Sequence, residues 1–84
     1  MEKIFLVLNH AVKDYEDCGI GTIAYEKEED AKELFKANVM EEKKYIEDLN
    51  WVISSDTDDL FEAYEEGNYS RNHTICSIRE LVIE

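Results

Sequence analysis

The sequence predicts an α+β domain with the element order β-β-α-β-β-β, in which one long amphipathic helix packs on one face of an antiparallel sheet. Apolar residues alternate with period two up to about residue 26 and again after residue 50, and they follow a helical period in between. The chain has 84 residues, a length that suffices for one hydrophobic core, and it contains no proline. We therefore expect residues 1–84 to form a single domain.

The first two strands are predicted to form a hairpin. Residues 3–13 alternate, and both faces of the first half are apolar, which indicates a central strand with two unequally covered sides. One face carries Ile4, Leu6, Leu8 and Val12, and the other carries Phe5, Val7 and Ala11. A polar connector over residues 14–19 ends in glycine, and alternation resumes over residues 20–26.

The helix is predicted over residues 28–49, with Asn50 ending it. Acidic residues at positions 28–30 oppose the positive end of the helix macrodipole, and Lys43 and Lys44 come later, as the dipole favours. Asn38 and Glu42 interrupt the apolar stripe, which indicates a kink, a solvent-filled edge or a site, and we favour the edge. At 100° per residue this stripe consists of Ala31, Leu34, Phe35, Val39, Tyr45, Ile46 and Leu49.

Three strands are predicted after the helix. Residues 51–54 form the first, and residues 74–83 form the last, where apolar side chains occur on both faces. Residues 58–66 fit either a strand or a short helix capped by Asp56 or Thr57. We favour the strand, because Glu66-Gly67-Asn68 follows it with the residues of a hairpin turn.

The net charge of −12, from 21 acidic and 9 basic side chains, limits the kinds of partner that we expect the chain to bind. Binding to nucleic acid or anionic lipid depends on lysine and arginine that displace counterions from phosphates. The charge therefore disfavours direct nucleic-acid and membrane binding and predicts a basic protein partner. The alternative is that the acidity serves only solubility.

The apolar run at residues 4–8 is too short for a secretory signal, and no stretch approaches the length of a membrane span. We therefore expect a cytoplasmic protein in which Cys18 and Cys76 are reduced thiols.

Motifs for catalysis, cofactors and metals are incomplete. The stretch from Asp56 begins like a calcium-binding loop, but Phe61 stands where glycine is required and Gly67 where a bidentate glutamate is required. Gly19-Ile20-Gly21 lacks the third glycine of a dinucleotide-binding turn. The spacings of His10, Cys18, His73 and Cys76 are not those of a zinc site. We expect no enzyme activity, no cofactor and no metal.

Acidic residues concentrate in two segments. The stretch from Asn50 to Ser70 contains six acids and no lysine or arginine, and residues 14–17 add three more acids. If the first hairpin turn lies near the fourth strand, these carboxylates form one negative field that steers a basic surface, with tyrosines as anchors. The alternative is a solvated surface that only deters edge pairing. The predicted partner-binding residues are Asp14, Glu16, Asp17, Asp56, Asp58, Asp59, Glu62, Tyr64, Glu65, Glu66 and Tyr69.

In size, charge and simple α+β build, the chain resembles the small phage-encoded anti-restriction and anti-CRISPR inhibitors. The stretches Val7-Leu8-Asn9-His10 and Tyr64-Glu65-Glu66-Gly67-Asn68-Tyr69 look like parts of small proteins from phages and mobile elements. The resemblance implies a non-catalytic DNA-mimic inhibitor of a phage-defence nuclease such as a CRISPR effector.

The alternative interpretation is a small structural or regulatory homodimer with incidental acidity. It would associate through a strand edge, or through a helix face that carries Ala37 and Met40.

Overall fold

The computed structural model describes residues 2–83 and confirms the α+β class. Within these residues, no helix is both long enough and apolar enough to cross a membrane. The elements are β1 (Glu2–Lys13), β2 (Glu16–Tyr25), α1 (Glu28–Ile46), β3 (Trp51–Asp56), β4 (Leu60–Glu65) and β5 (His73–Ile83).

The five strands form one antiparallel sheet in the order β2-β1-β5-β4-β3, so β1 is an internal strand, as predicted. β1 and β5 pair along their whole lengths, from Glu2 with Ile83 to Val12 with His73. β4 pairs only with residues 73–77 of β5. The sheet is therefore wide at the end that holds the β1–β2 turn and the β4–β5 loop. We call this the hairpin end (residues 13–17 and 65–73). The opposite end is narrow.

The core lies between α1 and one face of the sheet. Alternation along β1 directs Phe5 and Val7 toward the helix, and the register places Phe61, Ala63 and Cys76 on the same face. These side chains are buried against the helical residues Ala31, Phe35, Val39 and Ile46. Burial of each large apolar side chain contributes about 1.5–3 kcal/mol.

The turn between β1 and β2 is shorter than the connector predicted over residues 14–19. Only Asp14 and Tyr15 form it, both with positive φ (55° and 66°), and the β4–β5 loop holds it in place. The Asn72 side chain accepts a bond from the Asp14 amide, and the Arg71 carbonyl accepts one from the Tyr15 amide, each at 2.9 Å. Local sequence patterns do not predict these hydrogen bonds, because they join residues that are far apart in the chain.

Gly19 lies within β2 and not in the turn. Cys18 and Gly19 together oppose Ala11, which makes a β-bulge. Gly19 has a φ of 89°, a conformation that glycine adopts without steric cost. The glycine that indicated a turn in the sequence therefore marks this bulge.

The helix ends at Ile46, three residues before the predicted end. The Leu49 amide donates to the Ile46 carbonyl at 2.9 Å, which turns the chain toward β3. Tyr45 and Leu49 are exposed and do not join the core, so this part of the predicted stripe is wrong. The Tyr45 ring instead packs edge-on against Trp51, with the Lys13 ammonium 3.9 Å from its centre.

The placement of Glu42 at a solvent-exposed edge is also wrong, because this residue is only 7% exposed. Its carboxylate lies 3.7 Å from the Lys13 ammonium, and Oε2 accepts no hydrogen bond within the described chain. Lys13 thus offsets part of the cost of burying a charge.

The ambiguous segment is a strand, as favoured, but β4 starts at Leu60 and not at residue 58. Thr57 accounts for the difference. Its hydroxyl accepts the Leu60 amide at 3.1 Å, and its own amide donates to the Leu60 carbonyl at 2.8 Å, so residues 57–59 form a closed turn.

Candidate functional site

The face of the sheet opposite α1 is not covered by any element of residues 2–83, and we call it the open face. Alternation places Leu6 and Leu8 of β1 there, and the register aligns Leu8 with Ser77 of β5 and then Leu60 of β4. Leu6, Leu8 and Ile75 are half-buried only by their neighbours within the sheet. Ser77 lies between Leu8 and Leu60, and the apolar side chains around it form an uncovered surface of the kind that is typical of an interaction site.

Aromatic and polar side chains occupy the open face at the hairpin end. Tyr69, from the β4–β5 loop, stacks on His73 with ring centres 4.3 Å apart and an interplanar angle of 9°. His10 meets the His73 ring edge-on at 6.0 Å, and Tyr64 lies 5.5 Å from Tyr69. We call this group, with Glu62, the tyrosine–histidine cluster (His10, Glu62, Tyr64, Tyr69 and His73).

Hydrogen bonds fix the cluster. The Tyr69 hydroxyl donates to Glu62 Oε2 at 3.1 Å, and Ser54 donates to Glu62 Oε1 at 2.8 Å. His73 Nδ1 lies 2.8 Å from the Tyr69 carbonyl, which can only accept, so this nitrogen carries a proton. The rings are therefore held in one arrangement.

Asp17 and Tyr69, both at this end, have shifted pKa values. The pKa of Asp17 lies below its usual 3.8, because its carboxylate accepts the Gly19 amide at 2.7 Å and also contacts His10 at 3.2 Å. Burial, together with the bond to the Glu62 carboxylate, raises the pKa of the Tyr69 hydroxyl above 10.0. At neutral pH, Asp17 is an anion and Tyr69 a neutral donor.

The structure divides the predicted partner-binding residues between two places. The hairpin end brings together Asp14, Glu16, Asp17, Glu65, Glu66 and Tyr69, with Glu62 and Tyr64 beside them on β4. Asp56, Asp58 and Asp59 lie at the other end of β4, about 17 Å away along the six-residue strand. The carboxylates therefore form two groups and not one continuous field.

Basic side chains neutralise part of each group. Arg71 Nε donates to Asp14 at 3.0 Å, and Arg71 Nη1 lies 3.9 Å from Glu65. Lys43 pairs with Asp56 at 2.8 Å. In the described part of the chain, Glu16, Asp58 and Glu66 make no ion pair and no side-chain hydrogen bond. These three are therefore the predicted acids whose carboxylates are least compensated by neighbouring side chains.

The structure shows how the histidines and cysteines, which are candidates for metal binding or nucleophilic catalysis, lie relative to one another. His10 and His73 adjoin on the open face, whereas Cys76 is buried on the opposite face and Cys18 is exposed in the bulge of β2. Across residues 2–83, no three His, Cys, Asp or Glu side chains converge as metal ligands would. Burial raises the pKa of the Cys76 thiol to about 12, which removes its nucleophilic thiolate at neutral pH.

Comparisons with known proteins give no assignment. No protein family, curated protein or solved structure matches the chain.

The partner-binding set predicted from the acidic segments omits the apolar part of this site. Leu6, Leu8 and Ile75 carry no charge and read as core residues, as does His10. The available signal was that both faces of β1 are apolar while the chain supplies only one helix to cover them. One face had to remain open to solvent or to a partner.

Proposed function

We propose that this chain is a non-catalytic interaction protein that binds the basic surface of another protein through its open face. The observation that carries the proposal is the pairing, on one uncovered sheet face, of apolar side chains with an aromatic cluster that contains the Glu62 carboxylate and adjoins that of Asp17. Tyrosine is favoured at interface centres, because its ring buries apolar area while its hydroxyl keeps a polar contact.

The size of the open face fits this role. Five strands at about 4.8 Å spacing, two of which run almost the full length of the sheet, present on the order of 700 Å². A standard-size interface buries about 600–1,000 Å² per partner. The open face therefore supplies enough area without a contribution from α1.

The charge of −12 supports a nucleic-acid-binding enzyme as the partner. Such an enzyme carries a basic channel for phosphates, and the carboxylates at the hairpin end offer it negative charge in their place. We propose that binding excludes nucleic acid from the channel. A phage-defence nuclease such as a CRISPR effector is one enzyme of this kind.

A pull-down from host lysate, made at about 50 mM and about 200 mM salt, tests this function. Because screening shortens the reach of exposed charges, we expect the captured proteins to be basic and to be released at the higher salt. Added duplex DNA should release them too. Capture that is indifferent to both salt and DNA would contradict the proposal.

Matched charge variants locate the surface. Glu16→Lys with Glu66→Lys reverses two unpaired charges at the hairpin end, and we expect it to abolish capture. Glu33→Lys with Glu41→Lys makes the same net change on exposed positions of α1 and should retain capture. Thermal unfolding should be nearly the same for both variants. Equal loss of capture in both variants would mean that capture depends on the net charge of the chain and not on where the charges lie.

A homodimer through the open face is the second candidate, and the half-buried leucines there favour it. Sedimentation equilibrium distinguishes the two. A dimer that persists across salt concentrations, with no affinity for basic proteins, would support the homodimer.

A further inference from the structure

The narrow end of the sheet leaves half of β5 unpaired on one edge. β4 pairs with residues 73–77, and its last contact on this edge is the Ile78 amide, which donates to the Asp59 carbonyl at 3.0 Å. Beyond Ile78, residues 79–83 pair with β1 on their other edge only. The turn over residues 57–59 ends β4. Beyond this turn, a gap as wide as one strand remains beside residues 79–83 of β5, and we call this gap the notch.

Backbone geometry shows which groups face this notch. The amide and carbonyl of one residue in a strand point to the same edge, and successive residues alternate between edges. Because the Ile78 amide points toward β4, those of Glu80 and Val82 point the same way. Arg79, Leu81 and Ile83 direct their backbone groups to β1. Glu80 and Val82 thus offer two donors and two acceptors to an incoming strand.

The side chains around the notch are apolar and charged, with Arg79 exposed beside them on the open face. Leu81, Val82 and Ile83 are 38%, 49% and 44% exposed, although all three belong to a regular strand. No proline interrupts the edge, so it lacks one common defence against strand addition. Asp58 and Asp59 lie at its closed end, and Glu80, paired to Lys3 at 3.3 Å, lies on the helix side.

We propose that the edge of β5 at residues 79–83 accepts an extended segment of the partner protein as an additional strand in line with β4. The segment alternates apolar with basic residues, so that apolar side chains cover Leu81 and Ile83 while lysine or arginine faces Asp58, Asp59 and Glu80. The inference rests on the proposed function only in taking the partner to be basic.

A second copy of this chain fits the notch less well. Antiparallel pairing of two β5 edges would bring Ile83 of one chain against the turn at Asp59 of the other, where the notch closes. It would also join two chains that each carry a charge of −12.

The test uses a short acetylated peptide of alternating valine and lysine and the full chain, followed by amide hydrogen exchange. In the free protein the amides of Glu80 and Val82 should exchange quickly, and saturating peptide should slow both by about tenfold or more. A peptide methylated on the backbone nitrogens of its pairing edge should give no protection.

Two variants of one residue provide the control. Val82→Pro removes the donor that faces the notch while the bonds to β1 remain, whereas Val82→Thr keeps the donor. We expect Val82→Pro to weaken peptide binding by about tenfold or more and Val82→Thr to change it by less than about threefold.

Other outcomes overturn the inference. Equal peptide binding by the two variants would overturn it. It would also be overturned if the amides of Glu80 and Val82 were protected from exchange without peptide, to a degree that rises with protein concentration, because this indicates that two copies pair. If the peptide slows no amide at the notch while lysate capture still depends on Glu16 and Glu66, only the strand-addition proposal fails.

Discussion

The two faces of the sheet are built from the same strands but differ in what covers them. Phe61, Ala63 and Cys76 on the helix side are completely buried, whereas Leu6 and Leu8 on the open side are half-buried. Apolar content alone therefore does not identify the core of this domain. The helix decides which apolar face becomes the core, and the other face remains uncovered.

The largest expected difference between the faces is in stability. Phe61→Ala removes a fully buried ring, and we expect it to lower the free energy of unfolding by about 3–5 kcal/mol. Leu8→Ala on the open face should lower it by only about 1 kcal/mol, because Leu8 is only partly buried and no helix packs on it. Urea unfolding followed by circular dichroism measures both.

A domain of this size has a total stability of only about 4–13 kcal/mol, so Phe61→Ala removes a large part of it. Equal losses for the two variants would show that the open face is covered in solution. Concentration dependence of the Leu8→Ala effect would then identify a second copy as the cover.

The fold was predictable because its main signals are periodic. The change of period near residue 27 located α1, and Glu66-Gly67-Asn68 correctly decided for a strand in β4. The β1–β2 turn was misplaced because the Arg71 and Asn72 contacts that hold it come from residues far away in sequence. Glu42 was misassigned for a similar reason, since its partner Lys13 lies on another element.

The candidate site was less predictable than the fold. Composition indicated the acidic segments but not that Asp58 and Glu66 lie at opposite ends of β4. The stacking of Tyr69 on His73 depends on how the β4–β5 loop folds back over the sheet. Strand register sets these placements, and a local pattern does not contain it.

The two cysteines should differ in reactivity. Burial holds the pKa of the Cys76 thiol at about 12, so at pH 8 only about one molecule in ten thousand carries its thiolate. Cys18 is exposed in the bulge of β2. We expect a maleimide to label Cys18 at least about a hundredfold faster than Cys76, as measured by mass spectrometry of single-cysteine variants.

Unfolding by urea should remove this difference, because it exposes both thiols. Comparable labelling of the two cysteines in the folded chain would contradict the placement of Cys76 on the helix side.

A smaller effect is expected at Thr74, which is completely buried on the helix side with a hydroxyl that makes no hydrogen bond within the described chain. Thr74→Val removes the buried polar atom and keeps the shape of the side chain. We expect the free energy of unfolding to rise by about 1 kcal/mol. Thr22→Val, on the exposed edge strand β2, is the matched control and should change stability by less than about 0.5 kcal/mol. A loss of stability in Thr74→Val would mean that the hydroxyl has a partner in solution.

The smallest expected effect concerns Asp17 on the open side. Its folded pKa is depressed, chiefly by the Gly19 amide and then by His10, so its stabilising contribution is present above pH 3.8 and is lost as the pH falls through the lower folded value. Asp17→Asn should therefore reduce the slope of stability against pH only in this acid range and leave the slope unchanged near pH 7. Thermal unfolding between pH 2 and pH 7 measures it. Because Asp17 is exposed to solvent, a large change near pH 7 would show that its carboxylate does more than hold the bulge.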